Sequence, residues 1–199
     1  MANKKQIIRP VIFMLVLTII YTFVLAYINE SSSGIIKEQE ELRIKRSVLY
    51  VLGQPSTEAD AVVTALFNEK IEIKVDGDQT TYLYKENGVL SGYAFEFQGN
   101  ALWGSLTGYI GLSPDFTTVM GIDFVAHSET PGLGGRIDEA WFKEQFRGIP
   151  ITETTVAFKP TENATLDAIT GATLTSNAVR NTVNAFISDI LMYAKEGNL

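Results

Sequence analysis

Cysteine is absent from the 199-residue chain, and histidine occurs once, at His127. The first absence excludes disulfides, thiolate metal sites and a cysteine nucleophile; the second excludes a multi-histidine metal site within one chain. Positive charge is also scarce beyond the start. Lys4, Lys5 and Arg9 give the first ten residues +3, so that of the formal charge of −7 the remainder carries −10. An acidic body of this kind argues against nucleic acid as a partner. The sequence shows no internal repeat and no low-complexity tract.

What the chain does have is one long apolar run. Val11 to Ile28 is eighteen residues without a charge, interrupted only by Thr18, Tyr21, Thr22 and Tyr27. As a helix it spans about 27 Å, close to the hydrocarbon core of a bilayer. Basic residues precede it and the first acidic residue, Glu30, follows it. The positive-inside rule therefore places the N-terminus in the cytoplasm and everything after about residue 30 outside. The run exceeds a signal-peptide core and no Ala-x-Ala site follows, so a retained anchor is expected over residues 1–29.

Beyond the anchor, Asn29 to Gly34 reads as a short polar exit. Glu38–Leu52 reads as a helix that ends at Gly53, and a second helix starts near Asp60 with capping-box spacing from Thr57. Residues 30–69 thus form a helical connector. From Lys70 the period becomes two: Ile71, Ile73 and Val75, then Tyr82 and Tyr84, alternate with polar residues. Asn87-Gly88 marks a hairpin, Tyr93, Phe95 and Phe97 share one strand face, and Ser105–Leu112 pairs with Thr118–Val125 across Ser113-Pro114-Asp115. Glu139–Phe146 reads as a short helix, Val156 and Phe158 as one more strand, and about Ser176–Lys195 as the last helix. The fold class is α+β: an N-terminal single transmembrane helix, then an antiparallel-sheet domain over residues 70–199 flanked by helices.

Two loops carry the chemistry. Asp167 to Ser176 is small and hydroxylic and feeds directly into the last helix. It places Thr170, Thr173, Thr175 and Ser176 on or just before a helix N-terminus, where unpaired backbone N–H groups and the positive end of the dipole favour a phosphate. Thr175 or Ser176 serving only as an N-cap is the plain alternative. The second loop, His127 to Arg136, holds Gly132, Gly134 and Gly135 beside Pro131. Missing Cβ atoms let its backbone approach a flat ligand, although such a stretch is also an ordinary tight turn.

The string Asp167-x-x-Thr170-Gly171-Ala172-Thr173-x-Thr175 resembles the flavinylation motif of FMN-binding domains. Glu129-Thr130-Pro131-Gly132-Leu133-Gly134 is similar to a second signature of that family, and Leu102-Trp103-Gly104 to its aromatic-glycine turn. The resemblance covers roughly residues 90 to 190. It extends to the G subunits of Rnf complexes and the C subunits of sodium-pumping NADH:quinone oxidoreductases, and the sequence does not separate the two.

The resemblance implies covalent FMN, joined by a phosphoester whose oxygen comes from Thr173. Thr170, Gly171, Ala172 and Thr175 would lie at the phosphate, and the ring would lie against the Glu129 to Gly134 loop, with Glu129, Thr130 and Gly132 in that loop, Leu133 and Leu174 as apolar contacts and Trp103 as a stacking face. Glu129 would either tune the ring nitrogens or accept backbone N–H bonds within its loop. His127, Arg136 and Lys159 are weaker contact candidates, and Asp167 suits an Asx turn. The implied function is an electron-transfer subunit on the outer side of the bacterial cell membrane, part of a redox-driven ion-translocating complex rather than a catalyst alone. Its implied partners are the other subunits and a flavin transferase. A stand-alone anchored flavoprotein and an anchored binding module without flavin are the alternatives.

Overall fold

The structure is a computed structural model describing residues 4–77, 79–152, 155–161 and 164–197. The side chains of Lys4 and Lys5, part of the basic N-terminus, lie outside the described residues. Helix α1 runs Lys4–Val51 without a break. A polar exit and a separate second helix were expected here; the polar residues instead carry the helix on. Ser33 turns its hydroxyl back to the Glu30 carbonyl at 2.9 Å, the local bond by which serine is accommodated in a helix. Gly34 costs only about 1 kcal/mol in a helix interior. Within the apolar run Thr18 does the same to Met14 at 2.8 Å, so its hydroxyl is satisfied without water. Val11 to Ile28 is exposed throughout, and α1 is long and apolar enough to cross a membrane.

The chain divides into two units, Met1–Glu41 and Leu42–Leu199. The first is the greater part of α1. The second is built on an antiparallel meander of β1 (Ile71–Asp76), β2 (Gln79–Glu86), β3 (Val89–Asn100), β4 (Ser105–Leu112) and β5 (Val119–Ala126), in that spatial order. Asn87 and Gly88 turn from β2 to β3 with φ of 51° and 79°, the geometry that matches strand twist.

Helices cover both faces. On one, Val48, Leu49, Val51 and Leu52 pack with Val63 and Phe67 of α2 (Asp60–Lys70) over Tyr82, Tyr84, Ala94 and Tyr109. On the other, Phe95, Phe97, Ile110 and Ile122 meet Val179, Val183, Ile187 and Ile190 of α4 (Thr173–Lys195) and Phe142 of α3 (Ala140–Glu144). Each fully buried aromatic or branched side chain contributes about 1.5–3 kcal/mol. This face fixes α4 against β3 and so sets where its N-terminus emerges.

Two expectations shift. Thr57 does not cap α2: Ala59 holds the N-cap position without a side-chain bond. The strand expected at Val156 and Phe158 is only a bridge between Phe158 and Leu166. Asn184 of α4 explains why: its side chain accepts the Val156 N–H at 2.8 Å and donates to the Val156 carbonyl at 2.9 Å, filling the positions a neighbouring strand would use.

Candidate functional site

Three segments meet at the start of α4. The turn after β3 closes through Ala101 N–H to the Gly104 carbonyl at 2.7 Å. The loop after β5 folds on Thr130, whose carbonyl accepts from Leu133 at 3.1 Å and Gly135 at 3.0 Å, before a 3-10 turn at Gly134–Asp138 leads to α3. The third segment is Thr170 to Ser176. Between them lies a cleft of about 300 Å³, lined by Leu102, Trp103, Glu129, Thr130, Leu133, Gly134, Gly171, Ala172, Thr173, Leu174 and Thr175.

Helix α4 begins three residues earlier than the sequence indicated, at Thr173. Gly171 makes the entry possible, since its φ of 81° belongs to the left-handed region that a side chain disfavours. Ser176 N–H is the first to bond inside the helix, to the Ala172 carbonyl at 3.0 Å. The N–H groups of Thr173, Leu174 and Thr175 precede it and have no carbonyl within the helix to reach. Thr173 itself is exposed and lines the cleft as the first residue of that turn.

The reading of Thr175 or Ser176 as an N-cap fails, because Ala172 holds the N-cap position and both residues lie inside the first turn, buried. Ser176 accepts the Ile169 N–H at 3.0 Å and bonds the Ala172 carbonyl at 3.2 Å, tying the motif loop to its helix. Thr175 donates to Glu129 Oε2 at 2.5 Å. Glu129 is only 5% exposed, and its other oxygen, Oε1, accepts the Trp103 N–H at 2.9 Å. The bond to a backbone N–H is therefore present, although it reaches the neighbouring turn rather than its own loop.

Most of the residues singled out from the sequence line this cleft; Thr170 and Gly132 do not, being respectively one residue before Gly171 and at the tip of the loop turn. Leu102 and Gly134, which the sequence offered only as members of the two signatures, line it as well. The signal for Gly134 is steric: a Cβ there would lie 2.4 Å from Glu129 Oε2 and 2.5 Å from Thr175 Oγ1. Around the opening Trp103 is 65% exposed and Leu174 64%, with Leu102 and Leu133 also exposed. Large apolar side chains held in solvent around a concave site are unusual for a surface serving no ligand or partner.

The weaker candidates are engaged elsewhere. His127 accepts the Glu129 N–H on Nδ1 at 3.2 Å and faces Asp138 through Nε2 at 2.9 Å, so it braces the loop from behind. Arg136 pairs with Glu139 and lies 5.3 Å from the Trp141 ring. Lys159 pairs with Asp167 at 3.1 Å rather than facing the cleft, and the Ile169 N–H that an Asx turn at Asp167 would use bonds Ser176 Oγ instead. Gln145 holds the Asp167 backbone by accepting its N–H at 2.7 Å.

Residues 102–188 match the family model of the FMN-binding domain. The chain is 28% identical to the G subunit of the ion-translocating oxidoreductase complex of Methanosarcina acetivorans, over 99% of this chain and 100% of that protein. It is 36% identical to the C subunit of the Na(+)-translocating NADH-quinone reductase of Pasteurella multocida over 60% of this chain, spanning 45% of that relative's length. Among solved structures it superposes on the C subunit of the Na(+)-translocating NADH-quinone reductase of Parabacteroides distasonis with a TM-score of 0.65 and 25% identity, covering 78% of this chain and 94% of that one. NqrC of Shewanella oneidensis, at 18% identity and a TM-score of 0.66 over 76% and 93%, shares the fold.

Proposed function

We propose, from the premise that residues 102–188 form an FMN-binding domain, that this chain carries FMN covalently through Thr173 and serves as an electron-transfer subunit of a membrane-bound ion-translocating oxidoreductase complex. The observation that carries the attachment is an exposed Thr173 lining the cleft on the first turn of α4, the turn whose first three N–H groups have no helical acceptors. Attachment joins Thr173 Oγ1 to the nucleotide's phosphorus, breaks the phosphorus bond to the donor's leaving group and releases the hydroxyl proton. A flavin transferase performs it.

The residues present fit the group. A phosphate ester on Thr173 needs donors rather than a cation cluster, and the helix terminus supplies both N–H groups and the positive dipole end. The flat ring needs apolar surface, which Trp103, Leu102, Leu133 and Leu174 present around the opening. Bound FMN supplies one- and two-electron redox chemistry, tuned by its surroundings. The chain's own contribution is to hold, orient and partly desolvate it. Thr170 and Gly132 shape the two loops rather than the cleft.

Similarity to the G-subunit relative runs over the whole of both chains, which favours the subunit reading over a stand-alone flavoprotein. Residues 1–29 are the anchor, entering from the cytoplasm, and the domain works on the outer side; the basic start and exposed apolar run of α1 support that orientation. The deciding experiment is intact mass and peptide mapping of chain extracted from its native membrane. An FMN-sized adduct on Thr173 is expected; a bare Thr173 in the functioning assembly would overturn the reading.

A further inference from the structure

The carboxylate of Glu129 joins all three segments of the cleft. Oε1 holds the turn of Trp103, Oε2 holds the first turn of α4 through Thr175, and the backbone of Glu129 itself belongs to the glycine loop. Burial of a carboxylate is unfavourable unless donors replace its water. Here a backbone N–H, a hydroxyl and the positive end of α4 do so. The bare Cα of Gly134 keeps the space between Glu129 and Thr175 open, and the imidazole of His127 holds the Glu129 N–H from the other side.

We infer that Glu129 is a positioning residue for the flavin-accepting hydroxyl. Its carboxylate clamps Thr175, two residues after Thr173, and thereby fixes the first turn of α4 against the Trp103 turn, so that Thr173 and the free N–H groups are presented in one geometry. This rests on the proposed attachment at Thr173. It goes beyond it by giving the carboxylate a task completed before any flavin arrives. The clamp is built from hydrogen bonds rather than from charge, which separates it from a role in tuning the ring. A glutamine can reproduce both bonds, its amide oxygen accepting from Trp103 and its amide nitrogen donating to Thr175 Oγ1. Alanine reproduces neither, and aspartate is a methylene too short to span both partners.

Two readouts on the full-length chain in detergent test this. Hydrogen exchange read by mass spectrometry is made in a Thr173→Val background, where no flavin can be attached. There Glu129→Ala should speed exchange across residues 130–134 and 170–176 by roughly tenfold or more, the scale of the two hydrogen bonds lost, with the middle of α4 unchanged. Glu129→Gln should restore protection. With Thr173 present and a flavin transferase co-expressed, the flavinylated fraction by intact mass should fall sharply in Glu129→Ala and Thr175→Ala, fall no further in the double variant, and recover in Glu129→Gln. Unchanged exchange in Glu129→Ala overturns the clamp. Faster exchange with full flavinylation overturns its role in attachment. A wild-type chain that stays bare defeats the Thr173 reading instead, while the exchange measurement still decides whether the clamp exists.

Discussion

Arg147 closes the last turn of α1 from 97 residues away, donating from Nη2 to the Tyr50 carbonyl at 3.2 Å. The same guanidinium donates to the Met120 carbonyl of β5 at 2.5 Å, pairs with Glu144 at 2.8 Å and lies 5.4 Å from the Tyr50 ring. A cation at a helix C-terminus is favourable, and the planar fork lets one side chain serve several acceptors. Beside it Lys143 pairs with Asp123 at 2.8 Å, and Ser47 donates to the same carboxylate at 2.8 Å. The end of α1 is thus held on the sheet by polar contacts as well as by Val48, Leu49 and Leu52.

Arg147→Ala should therefore destabilise the Leu42–Leu199 unit by about 2 kcal/mol, since it removes the guanidinium from the Tyr50 and Met120 carbonyls and leaves Glu144 without its cation. Urea unfolding of the detergent-solubilised chain, followed by tryptophan fluorescence, measures it. Arg147→Lys should recover only part of the loss, because an ammonium cannot reach Tyr50, Met120 and Glu144 together.

Glu144 gives the unit an acid sensitivity of known sign. Hydrogen bonds from Arg147 and then from Tyr50 hold its carboxyl down to about 2, against an ordinary 4.5. The folded chain keeps this group ionised where the unfolded chain already takes up a proton. Its stabilising contribution is full above about pH 4.5, declines below that, and is gone once the pH passes about 2. In urea titrations at pH 7, 4 and 3, Glu144→Gln should flatten the acid-side fall of the midpoint; an identical slope would show that other carboxylates account for it.

Thr173→Val should abolish in-gel flavin fluorescence while changing fold stability by only about 1 kcal/mol or less, the scale of one exposed hydroxyl. Fluorescence retained by the variant would assign the ester to another residue.

Gly134→Ala should cost about 1–3 kcal/mol and lower flavinylation together, because the new methyl would press on Glu129 Oε2 and Thr175 Oγ1. Thermal unfolding and intact mass on the same preparation read the two effects. Gly132→Ala, whose Cβ meets nothing within 4 Å, tests loop strain alone, since its φ of 75° still disfavours a side chain.

Trp103→Ala should leave stability within about 0.5 kcal/mol, as expected for a side chain mostly in solvent, and leave attachment intact. What should change is the flavin: its fluorescence should rise and its visible bands shift once a stacking partner is removed. An unaltered spectrum would place the ring away from Trp103.

Much of this protein was legible in its residues because local chemistry settled it. An uncharged run of eighteen residues forms a helix from its own composition, alternating Ile71, Ile73 and Val75 follow the period of a strand although only Ile71 is buried, and Asn87-Gly88 turns one way. The Asp167–Ser176 stretch likewise reads as a loop feeding a helix, although the helix starts at Thr173 rather than near Ser176. What depended on distant partners was not legible. Val156 is no strand because Asn184, 28 residues on, satisfies it. Lys159 serves Asp167 rather than the cleft. Glu129 reaches Trp103 and Thr175, 26 and 46 residues away along the chain. Periodicity, turn geometry and the chemistry on offer are local properties of the chain and follow from its residues alone. Only packing decides which polar groups find each other, because a buried carboxylate or amide takes whichever donor the fold delivers to it.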